Sequence, residues 1–359
     1  MKIIFHHPLP LDPKATSASG IRPQRMLQAF KDLGYEVDLV TGYAQERKSA
    51  IKEIKAKIES GVSYDFVYAE SSTMPNLMTE KHHLPLHPLL DYGFFRLCNK
   101  YNIPIGLFYR DIYWLFEEYG KGMNPIKTWA AKLAYRFDLW VYQKTLCKLY
   151  LPSCEMGAYI PLVTEDKFEA LPPGHSSPSL AKSGNGKLEL FYVGGLSSHY
   201  QLHLLFEVLK DMPQISFTLC TREKEWESMK HEYLPLSENI RVIHKSGVEM
   251  EEYLKASSMV VLYVKPQEYW EFASPVKLYE YIGFQKPILA SEGTLAGAFV
   301  KEHNIGWSLP YTKKALQEQL EELSKKPELL SPIQENLAKI ENSHTWEARA
   351  KQVIKDLVI

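Results

Sequence analysis

Phe272-Ala273-Ser274-Pro275-Val276-Lys277-Leu278-Tyr279-Glu280-Tyr281 reads as a turn running straight into a helix. Pro275 suits the first helical turn, where a missing N–H costs nothing, and Ser274 is a favourable N-cap. The amides of Val276 and Lys277 then point out of the helix start, a place that attracts anions. Glu280 lies one turn beyond Lys277 on the same face, so its carboxylate can accept from a ribose diol while the lysine meets phosphate charge. An apolar run, Met259–Val264, precedes the segment, and Lys286–Ala290 follows it. The order is strand, loop, helix, strand, and it suggests a nucleotide-diphosphate site. The plainer alternative is a capped helix whose Lys277 and Glu280 form a solvated pair.

The same alternation extends outward in both directions. Lys2–Phe5, Glu36–Val40, Phe66–Ala69 and Ile105–Phe108 read as strands in the first half. Leu188–Val193, Ile215–Cys220, Ile240–Ile243, Met259–Val264, Pro287–Ala290 and Gly306–Leu309 read as strands in the second. Helical patterns separate them, such as Arg22–Leu33 with Met26, Leu27, Phe30 and Leu33 in register before Gly34. Strands alternating with helices imply parallel sheets covered by helices. Residues 70–94 are irregular, and the Pro- and Ser-rich stretch from Leu171 through Gly186 reads as a linker. Two sequential α/β domains of similar size fit best, and 359 residues are too many for one ordinary core.

Composition narrows the function classes. A 45% hydrophobic, 24% charged chain is typical of a soluble globular protein, and a net charge of −1 argues against a general nucleic-acid binder. Cys98, Cys147, Cys154 and Cys220 lie far apart, without metal or redox spacing, and are expected as free thiols in a reducing cytoplasm. The first residues enter a strand at once, so no secretory leader is expected. No long apolar run predicts a membrane span. Two adjacent pairs, His6-His7 and His82-His83, do not form a metal-ligand face, and no Asp-x-Asp motif is present.

The 272–281 segment resembles the donor-nucleotide motif of GT-B glycosyltransferases, especially the family-four-like bacterial enzymes, and looser similarity extends over nearly the whole chain. The resemblance implies two Rossmann-like domains with parallel sheets facing an interdomain cleft. Residues 1–171 would bind the acceptor and 187–342 the donor, and a last helix, 343–359 with Ser343 as its N-cap, would pack back on the first domain. It implies donor contacts from Ser274, Pro275, Val276, Lys277 and Glu280, from Gly194 and Gly195 in the Gly-rich turn Val193-Gly194-Gly195-Leu196-Ser197-Ser198-His199-Tyr200, and from Arg222 after the next strand. The family's first Glu falls at Phe272 here, with Glu268 and Glu271 out of register. In the first domain, Ser17–Arg25 looks like the acceptor loop, with Ser19, Gly20 and Arg22 as contacts. Tyr109-Arg110-Asp111-Ile112-Tyr113-Trp114 follows the fourth strand, where Arg110 replaces the family's His. Arg110 and Asp111 are the candidate catalytic pair, with neighbouring rings covering sugar faces; the plainer alternative is an internal salt bridge.

The implied activity is metal-independent, cofactor-free transfer of a sugar, as a hexosyl group and with retention, from a nucleotide-diphosphate sugar to a saccharide or lipid-linked saccharide hydroxyl. Bacterial surface polysaccharide would be the product, made in the cytoplasm or at the inner membrane face. A nucleotide-sugar epimerase and a non-catalytic saccharide-binding subunit stay open as alternatives. One helix, 126–149, interleaves Trp129, Leu133, Phe137, Trp140, Val141 and Leu146 with Lys127, Lys132, Arg136, Lys144 and Lys148. That mixture fits peripheral membrane contact, but the preferred reading places its aromatics in the first-domain core.

Overall fold

A computed structural model describes residues 1–15, 17–176, 187–196 and 200–358. The linker stretch from residue 177 to 186 and residues 197–199 of the Gly-rich turn lie outside these. The chain divides into two compact units, Met1–Pro173 with Trp346–Ile359, and Gly174–Thr345.

The first unit begins β1 (Lys2–His7), α1 (Ala18–Asp32), β2 (Glu36–Thr41), α2 (Ala44–Glu59) and β3 (Phe66–Glu70). It continues α3 (Leu90–Lys100), β4 (Ile105–Phe108), α4 (Pro125–Thr145), β5 (Lys148–Leu151) and β6 (Phe168–Ala170). The strand order is β2-β1-β3-β4-β5-β6, with every pairing parallel. Ile3, Ile4 and Phe5 are all buried, as are Phe66 to Ala69. Such unbroken apolar runs belong to strands covered on both faces.

The second unit runs β7 (Glu189–Val193), α5 (His203–Lys210), β8 (Ser216–Cys220), α6 (Glu223–Met229), β9 (Ile240–Ile243) and α7 (Gly247–Ala256). It continues β10 (Met259–Leu262), α8 (Val276–Gly283), β11 (Ile288–Ser291), α9 (Leu295–His303), β12 (Gly306–Leu309), α10 (Lys313–Lys325) and α11 (Leu330–Ile340). Its sheet, β12-β11-β10-β7-β8-β9, is again wholly parallel. Side chains alternate between two cores: Phe191, Val260 and Leu262 pack with Leu278 and Ile282, whereas Leu190, Tyr192 and Val261 pack with Leu316 and Leu320. Both sheets are parallel and covered by helices, as the alternation predicts, and are of the doubly wound, Rossmann-like type that the resemblance implies. In each, strand order reverses beside the first strand, between β1 and β3 and between β7 and β10. The carboxyl ends at such a switch point are where these sheets take ligands.

Several local expectations are corrected. Helix α1 starts at Ala18, so Ser19 and Gly20 sit in its first turn rather than in an open loop. Gly20 is needed for packing, because a Cβ there would collide with the Ala15 side chain. The candidate helix 126–149 ends at Thr145, and Lys148–Leu151 forms β5. Val141 and Leu146 are buried, but Trp129, Leu133 and Trp140 are exposed and do not fill the core. Within the irregular 70–94 stretch, α3 has already begun at Leu90.

The last helix, α12 (Trp346–Leu357), begins three residues later than the expected cap at Ser343. Its Trp346, Ala350, Val353 and Leu357 complete one core with Ile3, Phe5 and Phe30. Arg349 Nε donates to the Pro173 carbonyl at 3.1 Å and Gln352 Nε2 to that of Ala170 at 2.8 Å. In the second unit, His175 and Thr345 form a parallel bridge, and the His175 amide donates to the His344 carbonyl at 2.9 Å.

Candidate nucleotide site

The carboxyl end of β7 and the start of α8 meet at one side chain. Lys277 Nζ donates to Tyr192 Oη at 3.0 Å and lies over the rings of Tyr192 and Tyr200, 4.4 and 4.2 Å from their centroids. Two π faces hold a cation well when water is displaced. Directly beneath it, Gly194 has φ +149°, and a Cβ at that position would collide with Lys277 Nζ. The glycine is therefore required twice, for its backbone and for the space it leaves. Tyr192 Oη in turn donates to the Gly195 carbonyl at 2.9 Å.

Neighbouring groups fix this arrangement. The Val193 amide donates to Tyr281 Oη at 3.1 Å, which ties α8 to β7. Glu225 on α6 accepts from the Leu196 amide at 2.8 Å, and a Cβ on Gly195 would lie 2.7 Å from the same carboxylate oxygen. Trp270 packs edge-on against Tyr200, with centroids 5.0 Å apart. Burial pulls the Lys277 ammonium down to about 7, against the opposing influence of Glu280 and Glu225. Such a poorly hydrated cation gains more from an arriving phosphate than a surface lysine would.

At the start of α8 the cap differs from expectation. Pro275 itself is the N-cap, with no side-chain capping bond, and Ser274 Oγ instead contacts Tyr279 Oη at 3.0 Å. The amides of Val276 and Lys277 belong to the first turn, which has no intrahelical acceptors. Glu280 is half-buried one turn on. Thus Gly194, Gly195, Pro275, Val276, Lys277 and Glu280 converge. Arg222 is exposed at the N-cap of α6, one strand away, since the register sets Val193 against Cys220. Tyr192 and Glu225 are additions, and Tyr200, at the end of the quoted Gly-rich turn, gains a contact role: a tyrosine inside an apolar strand or a glutamate on a separate helix carries no signal that places it at the site.

In the first unit, two candidate residues, Arg22 and Arg110, gather around one buried carboxylate. Glu70, at the end of β3, accepts from Tyr68 Oη at 2.9 Å and from Arg110 Nη2 at 3.1 Å, and Arg22 Nε lies 3.5 Å away. Arg22 is buried, stacks on Phe108 at 3.4 Å and donates to the Leu171 carbonyl at 3.0 Å. Its expected role as an acceptor contact is corrected, because a guanidinium so enclosed holds the fold together. Arg110 pairs with Glu70 and with the Ser71 backbone rather than with Asp111. Asp111 is half-buried and accepts from the Tyr113 amide at 2.9 Å. Trp114 is no open platform for a sugar: it donates to Tyr109 Oη at 2.8 Å and stacks on Tyr135 at 5.0 Å.

Comparisons with known proteins bear on the fold and on the second unit. Residues 179–340, which lie within the second unit, match the family model "Glycosyl transferases group 1". No curated protein matches the chain significantly. Among solved structures, Anabaena HepE in complex with UDP and glucose is similar at TM-score 0.65 and 14% identity, over 99% of each chain. Sucrose-phosphate synthase from Thermosynechococcus elongatus gives 0.67 and 13%, over 99% of this chain and 98% of that one. WaaG, a glycosyltransferase involved in lipopolysaccharide biosynthesis, gives 0.62 and 13%, over 99% of each. Likeness at these identities establishes the fold, which is the GT-B fold that the sequence resembles.

Proposed function

We propose that this chain, GT-B in fold and similar to group 1 glycosyl transferases within its second unit, transfers a sugar from a nucleotide-diphosphate donor to a saccharide hydroxyl. The observation that carries the reading is the Lys277 ammonium seated over Gly194 at the start of α8, near Glu280. Lys277 and the first amides of α8 stabilise charge growing on the leaving diphosphate, a preorganised field that needs no rearrangement as the bond breaks. Glu280 holds the ribose hydroxyls. Asp111 aligns the acceptor hydroxyl or takes its proton. The transfer is of a hexosyl group, retains configuration, and builds bacterial surface polysaccharide on a free or lipid-linked acceptor. HepE, crystallised with UDP and glucose, makes UDP the first probe.

Replacing Glu280 with Ala should weaken UDP binding roughly ten-fold, because a charge-assisted hydrogen bond is worth about 1.5–3 kcal/mol. The penalty should shrink for a 2′,3′-dideoxy nucleoside diphosphate, which has no diol to lose. Calorimetry on both proteins with both ligands decides it; equal penalties would make Glu280 structural. Because Lys277 supplies the cation at the diphosphate, transfer in EDTA should continue at an undiminished rate. Loss of activity that a divalent ion restores would place a metal in the reaction.

A further inference from the structure

α4 is apolar on two opposite faces. One packs inward through Ala134, Tyr135, Leu139 and Tyr142, all buried. The other presents Ile126, Trp129, Leu133 and Trp140 to solvent, with 75% of Ile126 and 65% of Trp129 exposed. Their spacing of three, four and seven residues lays them along a single stripe. Solvated faces seldom keep so continuous an apolar row unless something covers it.

Charge identifies the cover. Trp129 and Leu133 join Trp114 and Leu115 around a depression of about 340 Å³, and the cations lining it are Lys132 and Arg136. The acid within α4, Asp138, is buried on the inward side, where it accepts from the Asn76 amide at 2.7 Å. Glu117 and Glu118, on the preceding loop, are the nearby exposed acids in sequence, and Glu118 pairs with Lys121 at 3.4 Å. At the far end of the stripe Trp140 packs on Tyr92 of α3, with centroids 5.3 Å apart. Just before α3, Leu84, Leu86 and Leu89 are exposed as well.

We propose that this face docks on an anionic phospholipid surface. The indole of Trp129 and the side chains of Ile126 and Leu133 enter the headgroup–acyl boundary, where an amphipathic ring is at home. Lys132 and Arg136 reach around the stripe to lipid phosphates, with their alkyl stems along the apolar surface. No helix among the described residues is long and apolar enough to cross a membrane; the attachment proposed is by this face and is reversible. The proposal concerns the first unit alone and stands whether or not the donor assignment in the second holds.

The test is flotation of the purified full chain with vesicles of phosphatidylcholine alone or with one quarter phosphatidylglycerol. At 0.1 M salt the parent should bind the anionic vesicles at least ten-fold more tightly, and 0.5 M salt should erase most of the difference. Lys132→Ala with Arg136→Ala should cost about 25-fold, roughly five-fold for each surface cation. Trp129→Ser should abolish most vesicle binding while its melting temperature stays at the parent value, as expected for a side chain already in solvent. Equal binding to neutral and anionic vesicles, or unchanged binding by both variants, overturns the proposal. A concentration-dependent dimer lost in Trp129→Ser, without vesicle binding by the parent, assigns the face to a second copy and overturns it too.

Discussion

Lys277→Met should bind UDP about 10- to 100-fold more weakly than the parent, since one or two charge-assisted contacts to phosphate disappear. Methionine keeps the unbranched stem between Tyr192 and Tyr200, so the rings should hold their places and the fold should survive. The difference should depend on pH. In the unliganded chain burial holds the Lys277 ammonium at about 7. Below that the lysine is already charged and binds without taking up a proton. Above it the chain must acquire a proton as phosphate arrives, so parent affinity falls as pH rises from 7 towards 9. UDP's own ionisation is common to both proteins, and the parent-to-variant affinity ratio isolates the lysine: largest at or below pH 7, shrinking above it. Titration calorimetry at several pH values gives that ratio, and a constant ratio near one would remove Lys277 from the diphosphate site.

Glu70→Gln should destabilise the first unit by about 3–5 kcal/mol, the usual cost of taking one partner from a buried ion pair. Glu70 is fully buried, and its loss as an anion strands both Arg22 and Arg110. Against a typical total of about 5–15 kcal/mol that is a large share, so the urea transition reported by the first unit should move sharply to lower concentration. Adding Arg110→Met to the variant should recover part of the loss by removing one stranded charge. A shift below about 1 kcal/mol in Glu70→Gln would mean that solvent reaches this cluster.

The two parallel sheets were legible because short apolar runs alternated with helical spacing, and Ile105–Phe108, Ile240–Ile243 and Gly306–Leu309 match the expected strands residue for residue. β5 was hidden because the pattern of α4 runs on through Leu146 with no breaker before Lys148. At the candidate site, Lys277 and Gly194 each carried a local signal, one at a helix start and one in a turn. Their contact did not, since it depends on β7 lying beside β10. Arg22 was misread for the converse reason. A cation near a loop looks available until the strand that brings Glu70 beneath it is known.

The return of α12 to the first unit reverses the ordinary order of events on the ribosome. Domains usually fold as they emerge, the earlier one first. Here residues 174–345 are complete before the polypeptide has supplied one wall of the unit that began it, because Trp346, Ala350, Val353 and Leu357 follow the second unit in the chain. The nascent first unit must wait through the synthesis of an entire second one with Ile3, Phe5 and Phe30 incompletely covered. A message truncated shortly before codon 346 would thus yield a finished second unit joined to a half-open first, a natural client for chaperones and proteases.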